Sequence, residues 1–146
     1  MRKIAAVLGL LLLLGCEEDT IHPINSTIQI EPTEITVGTE KRIFLSCATE
    51  QTYICSNFNI LTTQQVQQNL FRINFSGIDK ISYCANTLGP AQAKVDLGAL
   101  PNGDYLLELN SKTFRNNGTL KVTATEIKLD FPHQDGIAII KEVFKR

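Results

Sequence analysis

Leu100-Pro101-Asn102-Gly103-Asp104-Tyr105-Leu106-Leu107-Glu108-Leu109 opens the stretch that decides the fold, and the pattern it starts runs on to Phe131. Pro101-Asn102-Gly103-Asp104 carries turn chemistry: proline presets one backbone angle, and asparagine and glycine tolerate the unusual ones. After it Tyr105, Leu107 and Leu109 share one parity. Asn117-Gly118 suits a type I′ hairpin turn, since both residues tolerate positive φ. Leu120, Val122 and Ala124 then alternate with Thr119, Lys121 and Thr123, and Ile127, Leu129 and Phe131 with Lys128 and Asp130. A period of two is the strand period, so this region reads as consecutive half-buried strands.

The same period extends towards the N-terminus. Ile28 and Ile30 alternate with polar neighbours, Pro32 interrupts, and Ile35 and Val37 resume before Gly38. Ile43, Leu45 and Cys47 share a face, as do Ile54, Phe58 and Ile60, then Phe71, Ile73 and Phe75, then Ala93, Val95 and Leu97. Gln64-Gln65-Val66-Gln67-Gln68 reads as a loop or short turn. About seven to nine short strands separated by turns predict an all-β sandwich or barrel. The tail is ambiguous. Ile137, Ile140 and Phe144 fall at i, i+3 and i+7, which favours a short amphipathic helix over a last edge strand.

Two stretches carry a resemblance. Residues 28–38, from Ile28 through Pro32 to Val37-Gly38, are similar to the opening of bacterial immunoglobulin-like domains, where a split first strand passes a proline. Leu100 to Tyr105 looks like the turn that enters their penultimate strand. The resemblance implies an immunoglobulin-like antiparallel β-sandwich, with Tyr105 as its tyrosine corner.

The N-terminus has a different grammar. Met1-Arg2-Lys3 is basic, Ile4 to Leu14 is apolar apart from Gly9, and Gly15-Cys16 follows, then Glu17-Glu18-Asp19. That is the layout of a secretory signal peptide, and the apolar run is shorter than the roughly 20 residues a membrane span needs. Leu13-Leu14-Gly15-Cys16 resembles the lipobox of bacterial lipoproteins. The resemblance implies cleavage after residue 15, lipidation of Cys16 and an outer-membrane protein held by its acyl chains. Residues 16–26 then form an acidic tether and residues 27–146 the domain. Glu17, Glu18 and Asp19 read either as a solvated tether or as a sorting signal to the cell surface, like the acidic patch used by some Gram-negative bacteria. Asp19-Thr20-Ile21 is similar to an O-glycosylation sequon of such organisms, which would modify Thr20.

Three further cysteines remain, so at most one internal disulfide forms. Export favours one. Cys47 shares the face of Ile43 and Leu45 and reads as a buried thiol. Cys55 and Cys84 fall opposite the apolar parity of their segments, and the roughly 30-residue loop between them gains more from closure than the short Cys47–Cys55 loop. The expected pair is Cys55–Cys84.

Function is bounded mostly by exclusion. The chain has 14 basic against 15 acidic side chains and no tryptophan. It has no basic cluster, which argues against a nucleic-acid partner. His22 and His133 stand apart and no C-x-x-C occurs, so no metal site or cofactor is expected. No nucleophile, zinc or phosphate-loop motif is present, so no catalytic residue is assigned. A lipid-anchored binding, adhesion or structural module of the cell envelope fits best, with an unidentified protein or glycan as ligand and contacts expected in residues 48–52 and 61–68. The alternative is an envelope protease inhibitor, or an accessory subunit of an envelope enzyme or transport complex.

Overall fold

A computed structural model of the chain describes residues 21–79, 84 and 86–146. All its regular structure is strand: β1 (Ile21–His22), β2 (Ile28–Val37), β3 (Glu40–Tyr53), β4 (Asn59–Gln67), β5 (Leu70–Asp79), β6 (Gly89–Gly98), β7 (Gly103–Ser111), β8 (Arg115–Val122), β9 (Glu126–Asp130), β10 (Ile137–Ile139) and β11 (Val143–Lys145). They form one sheet in the order β10-β2-β3-β6-β4-β5-β7-β8-β9-β11, with β1 added on β5. The sheet curls until β2 meets β9 and β11. Curling encloses the apolar parity of each strand. Ile28 and Ile30, Ile43 and Leu45, Ile73 and Phe75, Leu107 and Leu109, and Ile127 and Leu129 make up the core. Each such side chain contributes about 1.5–3 kcal/mol by leaving water.

Several local expectations change. Pairing is mixed rather than antiparallel throughout: β10 with β2, β4 with β6, and β5 with β7 run parallel. The chain passes from β5 through β6, which lies between β3 and β4 in the sheet, before returning as β7, so no helical crossover is needed to align them. Pro32 does not interrupt β2, which pairs with β3 from end to end around it. Gly38, at φ 64°, makes the β2–β3 turn in a conformation that favours glycine. Residues 64–67 belong to β4, and the turn comes at Gln68, whose φ is 56°.

Asn117-Gly118 is not a turn but lies inside β8, opposite Glu108 and Leu107. The turn sits earlier because Ser111 supplies its chemistry. Its Oγ accepts the amides of Thr113 (3.0 Å) and Phe114 (3.3 Å), and its own amide donates to the Phe114 carbonyl.

The C-terminal segment is two short strands and not a helix. Ile137–Ile139 lies parallel to Ile28–Ile30, with Ile28 N donating to Gly136 O and Ile140 N to Ile30 O, both at 3.0 Å. Val143–Lys145 runs antiparallel to Glu126–Lys128. A helix this short is marginal in water. The two sheet edges offer backbone partners at once. The loop before β10 is fixed by Asn116, only 1% exposed, whose amide donates to Asp135 O at 2.8 Å and whose oxygen accepts Asp135 N at 2.9 Å.

Arg146 fastens the closing seam. Its guanidinium donates to Glu34 Oε1 (2.6 and 3.0 Å) and to Thr123 O (2.6 Å). The Glu34 side chain is 6% exposed and the Arg146 side chain 15%. Removing Arg146 leaves the buried Glu34 carboxylate with the longer contact to exposed Lys41, whose Nζ lies 3.8 Å from Oε2. Arg146→Ala is expected to cost about 3 kcal/mol in urea unfolding. Arg146→Lys should recover only part, because an ammonium lacks the planar fork that reaches both acceptors.

Candidate ligand trough and the placement of the predicted residues

The outer face of β2, β3 and β6 is not evenly filled. Cross-strand register places Gln29, Ala48 and Gln92 in one row and Glu31, Ser46 and Lys94 in the next. In each row the residue on the central strand is small and its neighbours are long. The result is an open hollow of about 520 Å³ over β3, reaching Asn59 of β4 at one side and Ile140 at the other. Beyond it the central strand turns bulky. Lys94 Nζ lies 5.0 Å from the centre of the Phe44 ring, and Arg42 grips Asp96 with contacts of 2.8 and 3.0 Å. Asp96 raises the Arg42 pKa further, chiefly through this hydrogen bond.

Chemically, the trough offers three carboxamides, a hydroxyl, one carboxylate and one ammonium above a floor of Ser46 and Ala48. Amides and hydroxyls both donate and accept, so such a surface suits a neutral polyhydroxylated or peptide ligand rather than a strongly charged one. Among the described residues no three of His, Cys, Asp and Glu come together in a way that could hold a metal.

The opposite outer face, on β5, β7 and β8, holds a second open hollow of about 490 Å³, and this one is more charged, with Arg72, Glu108 and Arg115 in its lining. Arg72, Glu108 and Asn117 make one cross-strand row and Asn74, Asn110 and Arg115 the next. Arg72 Nε donates to Glu108 Oε2, and this bond is the main reason the Glu108 carboxyl lies below its ordinary pKa. These exposed pairs add little to stability.

Cys16, Glu17, Glu18, Asp19 and Thr20 lie outside the described residues. Cys55 and Cys84 form a disulfide with Cα atoms 5.1 Å apart. The pair is the expected one, although its setting differs. Ile54 is 75% exposed and Cys55 4%, because residues 54–58 form a loop in which strand parity has no meaning. The bridge pins that loop to the one preceding β6, where Ser56 Oγ and Thr87 Oγ1 are 2.6 Å apart. Tyr105 donates its hydroxyl to Pro101 O at 2.8 Å, four residues upstream, and its ring meets Phe71 edge-on at 6.0 Å. His22 belongs to β1 and His133 to an exposed loop. The two expected contact loops are strands instead: residues 48–52 lie in β3 and residues 61–67 in β4. Of the trough residues only Ala48 falls in an expected contact segment, because each of the polar ones reads singly as a solvent-facing strand position. The available signal was the pairing of small Ser46 and Ala48 on a long central strand.

Cys47 is a buried free thiol, and burial pushes its pKa up to about 12. Only a thiolate attacks alkylating reagents. Native protein is expected to leave Cys47 unlabelled by iodoacetamide at pH 8, with full labelling after unfolding in urea. Rapid labelling of the folded chain would contradict this burial.

Comparison with protein-family models, with curated proteins and with solved structures finds no match to this chain.

Proposed function

We propose that the chain is a lipid-anchored binding module of a bacterial cell envelope. In this reading Cys16 carries the acyl chains that hold it in the outer membrane. Glu17, Glu18 and Asp19 direct it to the cell surface, and Thr20 is a glycosylation site on the tether. The domain has immunoglobulin-like character, which the Tyr105 hydroxyl bond to Pro101 supports. It captures a glycan or an extended peptide and does no chemistry on it. Membrane partner and ligand are engaged at different parts of the chain, and neither role calls for a cofactor.

The observation that carries the ligand reading is the trough over Ser46 and Ala48, with amides on both walls. Its test uses full-length lipidated protein in mild detergent on arrays of glycans and extended peptides. A ligand should be retained by the native protein and by Asn117→Ala on the opposite face. It should be lost on Ala48→Arg, which fills the trough floor. No retained ligand, or binding indifferent to Ala48→Arg, would remove the trough from the reading. Proteinase digestion of a tagged copy on intact cells tests display. Protection until lysis would place the protein inside the envelope and reduce the acidic residues to a tether.

A further inference from the structure

The sheet is not evenly sealed. β4 and β6 meet at a single pair, Asn59 opposite Gln92, secured by Gln92 N donating to Phe58 O. Past that point they diverge. Among the described residues, Leu61 to Gln67 of β4 pair only with β5, so the other edge of the strand has no strand partner. Thr63 to Gln67 are exposed whichever way their side chains point. Val66, opposite the buried Phe71, is 57% exposed even though it faces the core side. Nothing from β6 covers this half of β4.

An open edge presents a row of backbone donors and acceptors, and proteins usually blunt it with charge, proline or brevity. Other open edges here are blunted. β6 carries Lys94 and Asp96 along its free half, β2 carries Glu31 and Glu34, and β10 and β11 are three residues each. The segment Leu61-Thr62-Thr63-Gln64-Gln65-Val66-Gln67 has no charge, no proline and no glycine.

We propose that this edge pairs with the same edge of a second copy, antiparallel and centred on Gln64. A two-fold axis perpendicular to the sheet keeps the core-side face of both copies on one side, so residues of like orientation must oppose each other. Centring on any one residue satisfies this, and what favours Gln64 is the side-chain matching it produces. Gln64 faces Gln64, and Val66 of each copy faces Thr62 of the other. Thr63 faces Gln65. The register opposes amide to amide and one β-branched side chain to another, and opposes no like charges. It is isologous and closes at two copies. An extended peptide of a different protein would gain the same backbone bonds, but nothing on this edge would select its side chains. The self-register does select them. The contact is smaller than the roughly 1,600 Å² of a standard stable interface, so it is a weak pairing that depends on local concentration.

Self-opposition at Gln64 gives a charge-swap test. Two differently tagged full-length copies are co-expressed, and co-purification from membranes is measured. Native copies should co-purify. Gln64→Lys with Gln64→Lys, and Gln64→Glu with Gln64→Glu, place like charges directly opposite and should each lower recovery several-fold. Gln64→Lys with Gln64→Glu should restore it. Position 64 is exposed, so these changes leave the fold intact, and circular dichroism checks this. A second measurement is independent of charge. Gln64→Cys should form a dimer under mild oxidation, because directly opposed Cβ atoms lie about 5 Å apart, whereas Gln65→Cys should form far less. Native copies that do not co-purify, a swap that fails to restore recovery, or equal cross-linking at 64 and 65 would each overturn the proposal. So would cross-linking of Gln64→Cys to a different protein, which would assign the edge to an extended peptide partner.

Discussion

Gly118→Ala is expected to destabilise the protein by about 3 kcal/mol, near the upper end for a single added methyl group. The glycine sits in mid-strand with an ordinary backbone, so conformational freedom is not the cause. A Cβ built there would stand 2.6 Å from Asp130 O and 2.5 Å from the Phe131 ring. Phe131 is itself buried and cannot swing clear without opening the core beneath β8 and β9. The Asp130 carbonyl is backbone of the neighbouring strand and moves only if β9 moves. Because β9 also holds β11, displacement would reach the seam that Arg146 fastens. Urea unfolding with an unchanged m-value measures the loss directly. Gly38→Ala is the useful contrast. No atom lies within 4 Å of its added Cβ, so it pays only for its positive φ and should cost about 1 kcal/mol. Equal costs at the two positions would mean that close approach is not what Gly118 provides.

Gly118 also shows where strand alternation stops informing. Asn-Gly is a strong local hairpin signal, but here the glycine answers a demand from the end of β9 and from Phe131 just after it, thirteen residues onward in sequence. A purely local reading has no access to that demand. Where burial is one-sided and the strand long, alternation is a faithful guide: Leu107 and Leu109, Leu120 and Val122, and Ile127 and Leu129 all point into the core. Parallel pairing of β5 with β7 leaves no trace in a period-two pattern, because register and direction depend on where β6 goes in between. The tail misleads for another reason. Spacings of three, four and seven are matched by chance in two strands of three residues joined by a bend, and only Ile137 of that set is buried. The trough is harder still, since it is made of rows across three strands, and its two informative residues are informative only as small neighbours of large ones.

Reduction of Cys55–Cys84 is expected to cost about 3.6 kcal/mol, the loop-closure value for a loop of roughly 30 residues. The bridge joins the chain just after β3 to the chain just before β6, and so spans the whole β4–β5 hairpin. That hairpin meets β6 through one residue pair. With the bridge cut, the unfolded chain regains the loop entropy and the folded chain loses its cross-tie beside the weakest junction of the sheet. The two effects differ in their observables. A pure unfolded-state effect lowers the urea midpoint and leaves amide exchange in the native state unchanged. Loosening of the junction also speeds exchange at Gln92, whose amide bonds to Phe58 O, while Leu107 and Leu109 on the far side of β5 stay protected. The Cys55→Ser, Cys84→Ser variant should show both, with exchange at Gln92 faster and a stability loss at least as large as the loop-closure value. Unchanged stability on reduction would mean that the β4–β6 junction is held by its packing alone. In that case Ile60 and Phe58, both buried beside Cys55, become the residues that keep the two halves of the sheet together.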